Sequence, residues 1–247
     1  LRARGNLAGS YHSVGRNRDA IQLKERVVTD MKRILGPDHP DTLRARSNLA
    51  GSYHSVGRNR DAIKLQEQVL ADRKRILGPD HPDTLTARGN LAGSYASAGR
   101  NHDAIQLEER VVTDMKRILG PDHPDTLTAR GNLAGSYHSV GRNRDAIKLQ
   151  EQVLADRERI LGPDHPDTLT ARGNLASSYA SAGRNHDAIQ LLERVLADME
   201  RVVGSAHPAT RTTRGNLAGL YRSAGYVAKA LALAPRGPAR RKPRRRR

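Results

Sequence analysis

Cysteine, tryptophan and phenylalanine are absent from the 247-residue sequence, and aromatic residues of any kind make up only 3% of it. Without cysteine there is no disulfide framework, no thiolate metal site and no cysteine nucleophile. No apolar run approaches the roughly 20 residues that span a bilayer, so a location off the membrane and in the cytoplasm is expected. The opening residues, from Leu1, read as the inside of a helix and not as a signal peptide, so a fragment or processed form is expected. Acidic residues are also in short supply: 26 against 43 lysines and arginines, for a net charge of +17. Eight of those cations fall between Arg236 and Arg247 with no acid among them, which leaves +9 for the remaining residues.

What the chain has in abundance is itself. Asn6, Asn48, Asn90, Asn132, Asn174 and Asn216 follow one another at intervals of 42 residues, each inside a nearly unchanged string such as GPDHPDTLTARGNLAGSYASAG. Periods of this length mark stacked arrays, because one unit cannot bury its apolar face alone. A longer period of 84 is superimposed: residues 43–84 and 127–168 differ only at Arg44/Thr128, Ser47/Gly131 and Lys74/Glu158.

Each unit divides into two helices. In the stretch from Thr42 to Gly57, Leu43, Ala50, Tyr53 and Val56 form one stripe; in Asn59 to Gly78, Ala62, Val69 and Ile76 recur every seven residues beside Ile63, Leu70 and Leu77. Gly57 can close the first helix in the left-handed region and Asn59 can cap the second. Gly78 and the two prolines of GPDHPDT end the second helix, with Asp83 or Thr84 able to cap the next one. The last unit is degenerate, its second helix stopping at Pro235.

Leu49, Ala50, Tyr53, Gly57, Ala62 and the Gly78 to Pro82 loop, with their equivalents in every copy, resemble the 42-residue tetratricopeptide repeat of kinesin light chains and of many bacterial repeat proteins. The resemblance covers residues 1 to about 234. It implies an all-α fold, a right-handed superhelical solenoid of antiparallel hairpins with the first helices on the concave side, over residues 1–234, followed by a basic tail at 235–247 that should be disordered. One departure stands out. The large aromatic commonly found in the second helix, four residues after the alanine, is Lys24, Gln66, Glu108, Gln150 and Leu192 here, so lighter packing is expected.

Catalysis needs different groups converging on one point, whereas this chain offers the same group at every 42nd position, and no GxSxG, Walker or HExxH motif occurs. A noncatalytic protein without cofactor is expected. His39, His81, His123 and His165, each flanked by aspartates, are the metal candidates, but helices stacked about 8 to 10 Å apart place successive histidines too far apart to share an ion. Thr86, Asn90, Gly93 and Ser97 share one helical face. An asparagine amide offers a donor and an acceptor, matching the N–H and C=O of an extended peptide. By resemblance to tetratricopeptide arrays, Asn6, Asn48, Asn90, Asn132, Asn174 and Asn216 would form a peptide-gripping ladder, accompanied by Ser55, Ser97, Ser139, Thr86 and Thr128; the alternative is that these asparagines bond to neighbouring repeats.

The glycines in mid-helix, Gly89 and Gly93, have two readings as well: close helix approach, or an inner wall kept clear of side chains. Arg46, Arg88, Arg130 and Arg172 would lie toward the groove edge, and Arg58, Arg100, Arg142 and Arg184 after the turn, either steering acidic ligands or forming a solvated surface. The expected partner is a protein or peptide, acidic if the arginines steer it, with selectivity set by Arg44/Thr86, Ser47/Gly89 and His54/Ala96. Two further readings stay open. The tail residues Arg240, Arg241, Lys242, Arg244, Arg245, Arg246 and Arg247 could bind nucleic acid by phosphate neutralisation, or the array could regulate a larger enzyme. The oligomeric state is left open.

Overall fold

The computed structural model describes Tyr11 and residues 16–233; Asn6 and the basic tail lie outside the described residues. The described residues form eleven α-helices and no strand. Two compact units divide the chain, Leu1–Arg142 and Asn143–Arg247. The first holds α1 (Asn17–Leu35), α2 (Pro40–Ser55), α3 (Asn59–Leu77), α4 (Pro82–Ser97), α5 (Asn101–Ile118) and α6 (Pro124–Ser139). The second holds α7 (Asn143–Leu161), α8 (Pro166–Ser181), α9 (Asn185–Val202), α10 (Pro208–Ser223) and the short α11 (Val227–Ala232). Within each unit, helices adjacent in sequence are packed against each other, giving the expected all-α array of helical hairpins.

The turn inside each hairpin is a Schellman motif. Gly57 adopts φ +77°, its N–H donates to the His54 carbonyl at 2.9 Å, and the Arg58 N–H reaches the Tyr53 carbonyl at 2.8 Å. The side chain of Arg58 then folds back over the Tyr53 ring, 4.2 Å from its centroid, and Arg100, Arg142 and Arg184 repeat the arrangement over Tyr95, Tyr137 and Tyr179. These arginines are exposed, in keeping with the solvated-surface reading, and pack on the tyrosine that closes each first helix. Asn59 is not the cap of α3: Arg58 holds that position without a side-chain bond to the helix backbone, and Asn59 Nδ2 donates to the Ser97 carbonyl at the end of α4, 2.9 Å away.

Histidine caps the first helix of each hairpin. His81 Nδ1 accepts from the Asp83 N–H at 3.1 Å, with Pro82 at the first helical position, and His39, His123 and His165 do the same. Neither Asp83 nor Thr84 takes that role; Thr84 lies inside the helix and fully buried. The four histidines considered as metal ligands are therefore helix caps.

The core is aliphatic and small. Ala62, Val69, Leu85, Ala87 and Ala92 are completely buried. Val69, Leu70, Ala87 and Leu91 interlock α3 with α4, while Leu85, Val111 and Met115 join α4 to α5. In the second unit Ala176, Ile189, Leu192, Leu196, Leu217, Tyr221 and Ala230 make one cluster. The stripes run out earlier than the sequence suggests, since Val56, Ile76 and Leu77 are exposed: they sit in the final turns, where the chain leaves the packed region.

Polar bonds cross from one hairpin to the next. Tyr53 Oη donates to Glu25 at 2.7 Å, Tyr137 to Glu109 at 2.7 Å, and Tyr179 to Glu151 at 2.7 Å. Arg75 binds Asp38 at 2.5 Å and Arg117 binds Asp80 at 2.9 Å, each joining the last turn of a second helix to the loop before the preceding first helix.

Candidate partner-binding groove

In the first unit α2, α4 and α6 present their asparagine faces to one groove of about 1030 Å³, lined in part by Asn48, Asn90, Asn132, Gly51, Gly89 and Gly93. The asparagines are exposed, and no hydrogen bond joins their side-chain amides to another described residue. The inter-repeat alternative has no support in that arrangement. Their backbone carbonyls are engaged, accepting from Ser52 and Ser94 one turn on at 3.1 Å, so the amides remain the open polar groups.

The glycines settle their own ambiguity. A Cβ built on Gly51, Gly89, Gly93, Gly131 or Gly135 would meet nothing within 4 Å. No helix approaches closely there. Each glycine costs its helix about 1 kcal/mol relative to alanine with no packing gain, and at Gly51, Gly89 and Gly93 the missing side chain leaves the groove wall lower.

The remaining sequence candidates divide. Ser55 and Ser97 line the groove, Thr86 and Thr128 line a neighbouring cleft of about 150 Å³ that also contains Asn90 and Asn132, and Ser139 is not among the lining residues of either. Several of these hydroxyls already donate to their own helix: Ser55 to the Ser52 carbonyl at 2.9 Å, Ser97 to Gly93 at 2.9 Å, Ser139 to Ser136 at 2.8 Å and Thr86 to Pro82 at 3.0 Å. Ser97 Oγ is also bonded to His54 Nε2. Asn174 and Asn216 hold the equivalent exposed positions on α8 and α10 of the second unit. Of the variable positions, Arg44, Ser47, His54 and Gly89 line the groove.

The arginines expected at the groove edge are elsewhere. Arg46 is 4% exposed and binds Asp72 on α3 at 2.5 Å; Arg88 pairs with Asp114 in the same way, and Arg172 binds Asp198 at 2.9 Å and Glu158 at 2.7 Å. Their aspartate bonds clamp the two helices of one hairpin, and Glu158 ties Arg172 to the preceding helix as well, because an arginine two residues before the asparagine is turned about 200° around the helix from it.

The floor is formed by groups that sequence reasoning did not place in the site. Lys24 and Gln66 line the groove, and Glu108 lines the adjoining cleft. Burial lowers the Lys24 pKa and raises that of Glu108, the latter partly offset by a hydrogen bond with Ser136. Their signal in the sequence was the missing aromatic. Where a bulky ring would plug the space between hairpins, a linear polar side chain leaves room above it.

Repeated hairpins of 42 residues with glycine-closed turns decide the family, and the tetratricopeptide repeat profile matches residues 1–75, 46–117, 109–159, 131–201 and 173–234. The chain belongs to the tetratricopeptide repeat family. Among solved structures, a Podosopora anserina protein described as a candidate kinesin light chain with nearly identical TPR-like repeats is 33% identical, with 79% of this chain and 92% of that one covered at a TM-score of 0.69. BtubC (BKLC) from P. vanneervenii is 24% identical over 88% of each chain, at 0.74. A Rap protein complexed with Competence and Sporulation Factor is 10% identical over 92% of this chain and 70% of that one, at 0.64, and shares the fold alone. No curated protein matches. The tetratricopeptide fold is a protein-interaction scaffold, generally noncatalytic. Among the described residues no helix is long and apolar enough to cross a membrane.

Proposed function

We propose that the chain binds an extended segment of a protein partner along the groove of α2, α4 and α6, with Asn48, Asn90 and Asn132 gripping its backbone. The observation that carries this reading is the row of three exposed amides, each free of bonds to described residues, on a wall lowered by glycine. A peptide in extended conformation leaves its N–H and C=O groups unpaired, and a carboxamide can satisfy one of each. Three such grips spaced along one segment add, so a partner longer than one repeat is held more tightly than its single contacts suggest. Asn174 and Asn216 would act in the same way in the second unit.

The test is a display library of unstructured dodecapeptides panned on the full chain, followed by the variant Asn48→Ala/Asn90→Ala/Asn132→Ala. Selected peptides should bind the original chain and lose at least tenfold on the variant, as expected for removing several net hydrogen bonds of about 1 kcal/mol each. Far-ultraviolet circular dichroism should be unchanged. A fall in helicity with the same substitutions would assign the asparagines to stacking instead.

A further inference from the structure

The floor of the groove breaks the repetition that its walls keep. One position of the second helix of each repeat is Lys24 in α1, Gln66 in α3 and Glu108 in α5. Lys24 and Glu108 reach equivalent serines. Lys24 Nζ donates to Ser52 Oγ at 2.6 Å, and Ser136, 84 residues after Ser52, hydrogen-bonds Glu108. One socket thus carries a cation and its counterpart two repeats away an anion.

The surroundings follow the sign of the floor. Arg44 lines the same groove as Lys24, and its pairing with Asp41 at 2.8 Å accounts for the aspartate of that groove. At the equivalent place near Glu108 the arginine is replaced by Thr128, and Asp125 faces only the His123 imidazole, 3.9 Å away, among the pairings the structure records. No basic residue lines the Glu108 cleft. Glu108 is 7% exposed and its Oε2 has no hydrogen-bond partner. A buried carboxylate oxygen left without a donor is costly, and a cationic side chain entering the cleft from a ligand would supply what the protein does not.

We propose that the groove is electrically polar and selects a segment with an acidic side chain toward Lys24 and a lysine or arginine toward Glu108. This rests on the peptide-capture reading and specifies the partner it takes. With roughly 10 Å per stacked helix on one face, the two sockets lie about 20 Å apart. That distance matches about six residues of extended chain.

Four fluorescein-labelled dodecapeptides on a Ser/Thr/Ala background test it with the full chain by anisotropy: acid at position 3 with base at position 9, two acids, two bases, and no charge. The mixed peptide should bind about fivefold tighter than the other three. Glu108→Gln should abolish its advantage over the peptide with two acids, and Glu108→Lys should reverse it. Glutamine is the residue this chain already carries at positions 66 and 150, so the fold accepts it. Equal binding of mixed and like-charged peptides, or an unchanged preference in Glu108→Gln, would overturn the charge assignment while leaving backbone capture standing. Failure of the original chain to bind any of the four would remove the capture reading and this proposal with it.

Discussion

Arg46 reaches from α2 to Asp72 on α3 with 2.5 Å between Nη1 and Oδ2, and its side chain is almost wholly withdrawn from solvent. Because Asp72 is the group that neutralises this buried guanidinium, Asp72→Ala strands a charge and should cost about 3 kcal/mol. The neighbouring Arg75, also within 3.6 Å of Asp72, is well exposed, so Arg75→Ala should barely move the transition. Urea unfolding followed by circular dichroism compares the two. Equal effects would mean that the clamp is no stronger than a surface pair.

Gly89 and Gly93 set stability against access. Alanine at either position meets no neighbour and should stabilise α4 by about 1 kcal/mol. The same methyl groups raise the groove wall beside Asn90, so peptides selected on the original chain should bind the double alanine variant more weakly. Melting temperature and affinity should move in opposite directions, which distinguishes a wall kept low for a ligand from a merely tolerated glycine.

The histidine caps make a prediction specific to one atom. His81→Asn places an acceptor where Nδ1 now takes the Asp83 N–H and should be close to neutral, whereas His81→Ala should cost about 1 kcal/mol. Amide exchange at Asp83 and Thr84 reports the local opening. Matching costs for both substitutions would show that the ring packs and does not cap.

Tyrosines at the hairpin joints tie stability to alkaline pH. Burial, then the hydrogen bond to Glu25, pushes the Tyr53 phenol up to about 12, and Tyr221, by burial and then Glu193, is also pushed to about 12. A phenol whose folded pKa lies above its unfolded value near 10 favours the protonated folded state. Its contribution is therefore complete below about pH 10 and is lost as pH rises through about 12. Absorbance at 295 nm should show these phenols ionising late, and Tyr53→Phe should weaken the alkaline sensitivity of the first unit. Ionisation of Tyr53 near pH 10 in the folded chain would contradict the Glu25 bond.

The asparagine row shows what could be read from letters and what could not. The 42-residue spacing and the constant offset of each asparagine from its turn glycine put every copy at one position of one helix, so Asn48, Asn90 and Asn132 were expected on a common face. That much is local periodicity. Whether the amides were engaged by neighbouring repeats depended on which atoms the stacked helices bring near, and the same holds for Gly89 and Gly93, whose open surroundings are a property of the space between hairpins.

Sequence by itself determined the helical hairpin, its register and its stops, because proline and positive φ at Gly57 and Gly78 are decided within a few residues of chain. Tertiary structure alone decided the roles of Arg46, Asn59, Lys24 and Glu108. Their partners or sockets lie 14 or more residues away, and a long polar side chain can point to solvent or across a joint with little local preference. Only stacking fixes which it does, by burying the charge and leaving a partner, or an empty place for one, within reach.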